Sequence, residues 1–159
     1  MSARGDGDVR LRRDLTGPLG PPVWPDGYRL RTLGTGDAPA LHALLAEVLP
    51  DATDPDFEAW WASRSGDDEF DPTLCFQVFD REGRMAAAAF CWTSAFVRDL
   101  AVHPTARRRG LGEALMLQIF TAFRSRGARQ VDLKTNVVEN TDAVRLYGRL
   151  GMVEVDWEG

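Results

Sequence analysis

The sequence predicts an α/β chain, a mixed sheet with helices on its faces, in the order β-α-α-β-β-β-α-β-α-β. Three observations predict it. Segments with apolar residues at every second position alternate with segments at helical spacing. An Arg81-Glu82-Gly83 turn joins two strand-like segments into a hairpin. The longest helical segment follows a strand that Pro104 stops.

The elements follow in order. Residues 1–26 read as a tail and linker, because Thr16 to Gly27 holds four prolines and three glycines in twelve positions. Inside the tail, "VRLRRDL" alternates Val9 and Leu11 and reaches Leu15, as an edge strand would. Residues 27–159 read as one domain. "YRLRTL" makes its first strand, and Asp37 and Pro39 then open a helix reaching Leu49. A short helix is expected over Asp56 to Arg64. "TLCFQVFD" and "RMAAAAFCWTS" form the hairpin, and "FVRDLAVH" is the next strand. Gly110 to Arg126 carries Leu111, Ala114, Leu115, Ile119 and Ala122 on one stripe. "QVDLKT" is a strand. Asn140 or Thr141 caps a helix with Ala143, Leu146, Tyr147 and Leu150 on one face, Gly151 ends it, and "MVEVDW" closes the chain as a strand.

Composition narrows the function. A hydrophobic content of 44% and a charged content of 27% are those of a globular protein. The net charge of −5 leaves no general footprint for nucleic acid. No apolar run reaches the ~18 residues of a membrane span, and "MSARGDGDVRLRRD" lacks the apolar centre of a signal peptide. A cytoplasmic location with no membrane partner is therefore expected. If the hairpin turns at Glu82-Gly83, positions summing to 165 face one another. Cys75 and Cys91 then point to opposite faces of the sheet and cannot form a disulfide. No cysteine–histidine spacing suggests a metal.

The segment "RDLAVHPTARRRGLGEAL" carries the chemistry. A helix N-terminus presents unpartnered N–H groups and a partial positive charge. Gly110 and Gly112 let the backbone approach a ligand, and Arg107, Arg108 and Arg109 supply bidentate donors. That combination suits a phosphate or diphosphate. An arginine-rich solvated turn is the other reading. Its spacing is neither the nucleotide P-loop nor the three-glycine dinucleotide fingerprint.

Thirty positions after Gly110, "NTDAVRLYGRLGM" adds Asn140, Ala143, Leu146 and Tyr147. With both segments in view, residues 28–157 resemble the GNAT superfamily of acyl-CoA-dependent N-acetyltransferases. Arg107 to Gly112 matches its Arg/Gln-x-x-Gly-x-Gly/Ala signature, Leu100 to Pro104 its strand end, and Asn140 to Tyr147 its later helix. "RRDLTGPLGPPVWPDGYRLR" is also similar to the start of mycothiol-synthase-type GNAT domains. The resemblance implies a mostly antiparallel sheet and acetyl-CoA as co-substrate, with no metal. It implies that the diphosphate sits on the N–H groups after Arg107, over Arg108, Arg109, Gly110, Leu111 and Gly112, with Asn140 also near the cofactor. The pantetheine arm would pair with Leu100, Ala101 and Val102. Tyr147 would protonate the departing thiolate, although its spacing also fits an aromatic on a buried helix face. The acceptor would be a primary amine of a small molecule or peptide. A non-catalytic coenzyme A-binding sensor or assembly module is the alternative.

The chain departs from the family in three places, one of them Gly148, which stands mid-helix where a charged residue is usual. Several relatives place a glutamate base two residues before the Leu100 position, where this chain has Arg98. Asp99 beside it is either a structural carboxylate or, if a bulge re-aims it, the base. Arg98 facing the acceptor would favour a carboxylate or phosphate on the substrate. Residues 50–72 hold eight acids against Arg64, either a solvated loop or an attractor for a cationic amine, and Trp60 and Trp61 beside them are candidates to line the acceptor pocket. The final strand that relatives pair beside "QVDLKT" is missing. Val9 to Leu15 is hypothesised to fill that edge, in its own chain or in a homodimer partner, with its arginines toward solvent.

Overall fold

The computed structural model describes residues 4–158, so Met1 to Ala3 of the tail and Gly159 lie outside the described residues. The strands are β1 (Asp8–Asp14), β2 (Arg29–Thr32), β3 (Cys75–Phe79), β4 (Met85–Trp92), β5 (Phe96–Val102), β6 (Gln130–Asn136) and β7 (Val153–Val155). The helices are α1 (Ala38–Val48), α2 (Phe57–Ser65), α3 (Leu111–Ser125) and α4 (Thr141–Arg149). They build one mixed sheet in the order β2-β3-β4-β5-β6-β1-β7, in which, among the described residues, only β5 and β6 run parallel. No described helix is long and apolar enough to cross a membrane.

Two cores lie on the two faces. On one, α1 and α2 bring Leu41, Leu45 and Trp60 against Ala88, Phe90 and Ala101. On the other, α3 and α4 bring Leu115, Ile119, Phe120 and Tyr147 against Phe76, Val97, Val131 and Leu133. The alanine run of β4 serves both faces, with Ala87 and Ala89 toward α3 and Ala88 toward α1. The hairpin register is the expected one: Cys75 faces Phe90 and Val78 faces Ala87, with a shift only between Val78 and Phe79. Cys75 therefore joins the α1 core and Cys91 the α3 core, and both thiols are free.

The edge beside β6 is occupied by β1, which pairs antiparallel from Asp8↔Asn136 to Asp14↔Gln130 and carries β7 on its outer side. Val9 and Leu11 are buried against the α3 core. Burying each such side chain is worth about 1.5–3 kcal/mol, which holds an otherwise irregular tail in the sheet. The expected solvent-facing arginines are different. Arg10 and Arg12 turn inward to Asp132 of β6. The Pro/Gly-rich stretch that follows forms no helix or strand, yet it is packed. Leu15 is buried, Leu19 and Trp24 rest on the α3 core, and Arg124 donates to the Gly17 carbonyl.

Two expected caps differ in detail. Asp37 stands at the N-cap of α1, but its carboxylate accepts from Gly34 N–H, Arg31 and Gln77 rather than from the helix. Asn140 stands at the N-cap of α4 without a side-chain capping bond, and its amide donates to Thr135.

Candidate functional site

β5 and β6 are registered as a pair only at Phe96↔Asp132 and Val97↔Leu133. Beyond those pairs the two strands have no mutual ladder, so the backbone from Arg98 to Val102 faces β6 across an open wedge. A bulge contributes to the divergence. Phe90 pairs with Asp99, but Cys91 pairs with Val97, so Arg98 is the extra residue on β5. The bulge also exchanges faces. Val97 belongs to the α3 core, whereas Ala101 belongs to the α1 core.

At the end of β5 the chain turns through Arg107 to Gly110 into α3. Arg108 and Gly110 adopt left-handed φ values of 64° and 83°. For a non-glycine residue that conformation costs about 1 kcal/mol. Alternating hand of this kind folds successive N–H groups into an anion-binding concavity. The first bond of the helix is Ala114 N–H to Gly110 C=O, and the N–H groups of Gly110, Leu111, Gly112 and Glu113 have no protein acceptor among the described residues. The two glycines serve different ends. Gly110 requires its positive φ, while a Cβ on Gly112 would come within 3.3 Å of Leu146 Cδ2, so Gly112 lets α4 close on α3. Arg107 folds back and donates through Nε to the Val102 carbonyl, while Arg108 and Arg109 are exposed.

Tyr147 lies in the α3 core, where Leu100, Val102 and Leu146 also pack. Its hydroxyl has no hydrogen bond to protein among the described residues, and burial pushes its pKa up to about 12. The phenol is therefore a neutral proton donor throughout the physiological range.

On the opposite face, Asp99 is 3% exposed and enclosed by two guanidinium groups. Arg64 Nη1 of α2 donates to Oδ2 at 2.7 Å, and Arg98 Nη1 donates to Oδ1 at 3.1 Å. Arg64 lies over the rings of Phe90 and Trp60 at 4.7 and 5.4 Å. Burial lowers its pKa, against which the charge of Asp99 acts. Two cations thus hold the Asp99 carboxylate in place, which suits a structural anchor more than a free base. Of the acidic run, Asp54, Asp56, Asp67, Glu69 and Asp71 accept from backbone N–H groups of caps and turns. Trp60 is core at 2% exposure, and Trp61 is half-buried against Phe70.

A cavity of about 490 Å³ opens between the diverging strands. Phe96 and Arg98 line it from β5, and Lys134, Thr135 and Asn136 from β6. Asp8, Asn140 and Trp157 complete it, and neither Trp60 nor Trp61 reaches it. Sequence reasoning found Arg98 and Asn140 but missed the β6 residues, Phe96, Asp8 and Trp157. "QVDLKT" reads as a strand, but nothing local says what its faces look upon. A larger cavity of about 620 Å³ lies between the β3–β4 hairpin and residues 103–109, lined by Arg109 and His103 on one side and by Asp80 and Glu82 on the other. It abuts the turn but does not enter the wedge between β5 and β6.

The fold is thus a mostly antiparallel sheet whose parallel pair opens into a wedge beside a helix N-terminus with unpartnered N–H groups. The chain belongs to the acetyltransferase (GNAT) family, whose model matches residues 38–152. A mycothiol acetyltransferase of Thermobispora bispora is 36% identical to it, over 89% of this chain and 52% of that protein. A mycothiol acetyltransferase of Salinispora tropica is 35% identical, over 89% and 50%. The crystal structure of a GCN5-related N-acetyltransferase from Sphaerobacter thermophilus is similar with a TM-score of 0.80 and 26% identity, over 93% of this chain and 48% of that one. The chain spans about half the length of the curated relatives it matches.

Proposed function

We propose that the chain is an acetyl-CoA-dependent N-acetyltransferase that acts on a primary amine. The observation that carries this reading is the divergence of β5 from β6 beside the open N–H groups of Gly110 to Glu113. The residues fit the co-substrate. The diphosphate would be received by those N–H groups with Arg108 and Arg109 beside them, and the pantetheine amides would pair with the edge at Leu100 to Val102 once Arg107 releases the Val102 carbonyl. A backbone N–H of that edge stabilises the negative charge that develops on the acetyl oxygen. The amine nitrogen bonds to the acetyl carbon, the carbon–sulfur bond breaks, and the Tyr147 phenol donates its proton to the sulfur. The proton lost by nitrogen restores the phenol through solvent. At neutral pH an amine with a pKa of ~10.4 is mostly protonated, and deprotonating it costs about 4–5 kcal/mol, so transfer favours amines of lower pKa.

Asp99 anchors the wall of the site in this reading and removes no proton. Because relatives are named mycothiol acetyltransferases, the acceptor panel includes a mycothiol-related amine. The test is an amine-library assay with thiol release as the readout. Tyr147→Phe is expected to lower kcat more than it raises KM, because its hydrogen bond strengthens as thiolate charge develops. Tight coenzyme A binding without turnover of any amine would turn the reading to a coenzyme A-binding sensor or assembly module.

A further inference from the structure

Resting on the acetyltransferase reading, we infer that the acceptor amine carries a carboxylate, which Arg98 binds and Arg64 positions through Asp99. The first argument is geometric. The bulge places Arg98 at the wedge while turning its neighbour Asp99 into the α1–α2 core. Arg98 lines the cavity, and its side chain is 35% exposed. Its Nη2 reaches the Ala52 carbonyl only at 3.4 Å, and its Nε–H has no protein acceptor among the described residues. One edge of a planar two-point donor therefore remains for a ligand.

The second argument is charge. Arg64, Asp99 and Arg98 carry two positive charges against one negative, and Arg64 is sealed under aromatic rings with its side chain 6% exposed. The surplus resides on Arg98, the member that reaches the cavity. Of the other charged lining groups, Lys134 lies over the Trp157 ring at 4.1 Å, and Asp8 is its opposite in sign. The lining residues themselves are thus left with one unit of positive charge, on Arg98, and Arg10 against Phe96 adds to it from behind, so the cavity suits an anionic group such as a carboxylate.

The third argument concerns cost. A buried ion pair is an expensive way to join a helix to a strand, because desolvation offsets most of its attraction. What this pair supplies is orientation. Asp99 is gripped from behind by Arg64, so it holds the Arg98 guanidinium in one pose, and a pre-posed fork loses less entropy on binding. Arg64 is accordingly a positioning residue and touches no substrate.

The experiment compares a panel of free amino acids with their carboxamides as acceptors, reading kcat/KM from thiol release. The carboxamides have the less basic amines, so an amine-basicity effect runs against the expected result. The natural protein is expected to favour acids over amides by about 10- to 100-fold, the worth of a hydrogen-bonded charge pair. Arg98→Lys keeps the charge but loses the fork, and the acid-to-amide ratio is expected to fall by about tenfold. Arg64→Lys is expected to lower the same ratio, mainly by raising KM for the acid, whereas a purely structural role would slow both acceptors equally. If Arg64→Lys does not fold, the ratio for Arg98→Lys decides alone. Equal turnover of acids and amides would overturn the inference and leave the acetyltransferase reading standing. Coenzyme A binding with no turnover of any amine would overturn both.

Discussion

Asp99 on β5 and Asp132 on β6 stand on the two strands that diverge at the site, and two arginines grip each of them. The arrangements look alike but differ in depth and in what they join. Arg64 is almost fully sealed, and with Asp99 it ties α2 to the bulge that carries Arg98. Arg10 and Arg12 keep 21% and 24% of their side chains exposed, and they tie β1 onto β6. Burial opposes ionisation of Asp132, yet hydrogen bonds from Arg12 and Arg10 outweigh it, and its pKa is lowered. The same three-charge motif fixes an orientation where it is dry and fastens a strand where it is partly wet. Solvent access decides which, because a sealed charge has no alternative partner and a half-exposed one has water.

The comparison can be broken most severely by removing residues 1–14. That deletion takes β1 from between β6 and β7, strips Val9 and Leu11 from the core and removes the two arginines that fasten Asp132. Loss of a cooperative thermal transition is expected, and an unchanged Tm and oligomeric state would show that β1 is dispensable. Asp99→Ala comes next. It leaves the Arg64 charge buried without its partner, and the expected loss is about 3–5 kcal/mol, read as a lower urea midpoint at constant slope. A loss below about 1 kcal/mol, the range of exposed pairs, would mean that Arg64 is not sealed as described.

Asp132→Asn should cost less, about 1.5–3 kcal/mol at neutral pH, because water can replace part of what its arginines lose. Its pH dependence sharpens the contrast. A carboxylate with a lowered folded pKa contributes stability above the unfolded value of ~3.9, and that contribution is lost as pH falls through the folded value. The gap between natural protein and variant should therefore narrow in urea titrations from about pH 5 toward about pH 2. A constant gap would assign the effect to packing. The smallest expected effect is at Gly148, exposed in α4, where an added Cβ would meet no atom within 4 Å. Gly148→Ala should add about 0.5–1 kcal/mol through helix propensity and should sum with Asp132→Asn. Failure to sum would reveal coupling of α4 to the β1–β6 clamp.

Much of the fold was legible where neighbours in sequence make the structure. Turn chemistry at Glu82-Gly83 set the hairpin register, and hence the separation of the two cysteines. Helical spacing defined α3 to within a residue, and Gly110 and Gly151 marked its start and the end of α4 through positive φ. The phosphate-suited turn was visible because its donors are local backbone groups and adjacent arginines.

The cavity and both aspartate clusters were not legible, because their members lie far apart in the chain. Arg64 meets Asp99 across 35 positions, and Arg10 and Arg12 meet Asp132 across 122 and 120. The bulge at Arg98 also left no trace in the pattern. Buried residues alternate regularly along β5 although the face they enter changes between Val97 and Ala101. Periodicity reports that a side chain is buried and is silent on which layer buries it. The sequence alone therefore determined the strands, helices and turn that form through short-range backbone preference. Only the tertiary structure decided that the tail strand completes the sheet, that Asp99 is held from behind, and that Arg98 faces the wedge, because each depends on which distant charge or apolar surface is at hand to replace water.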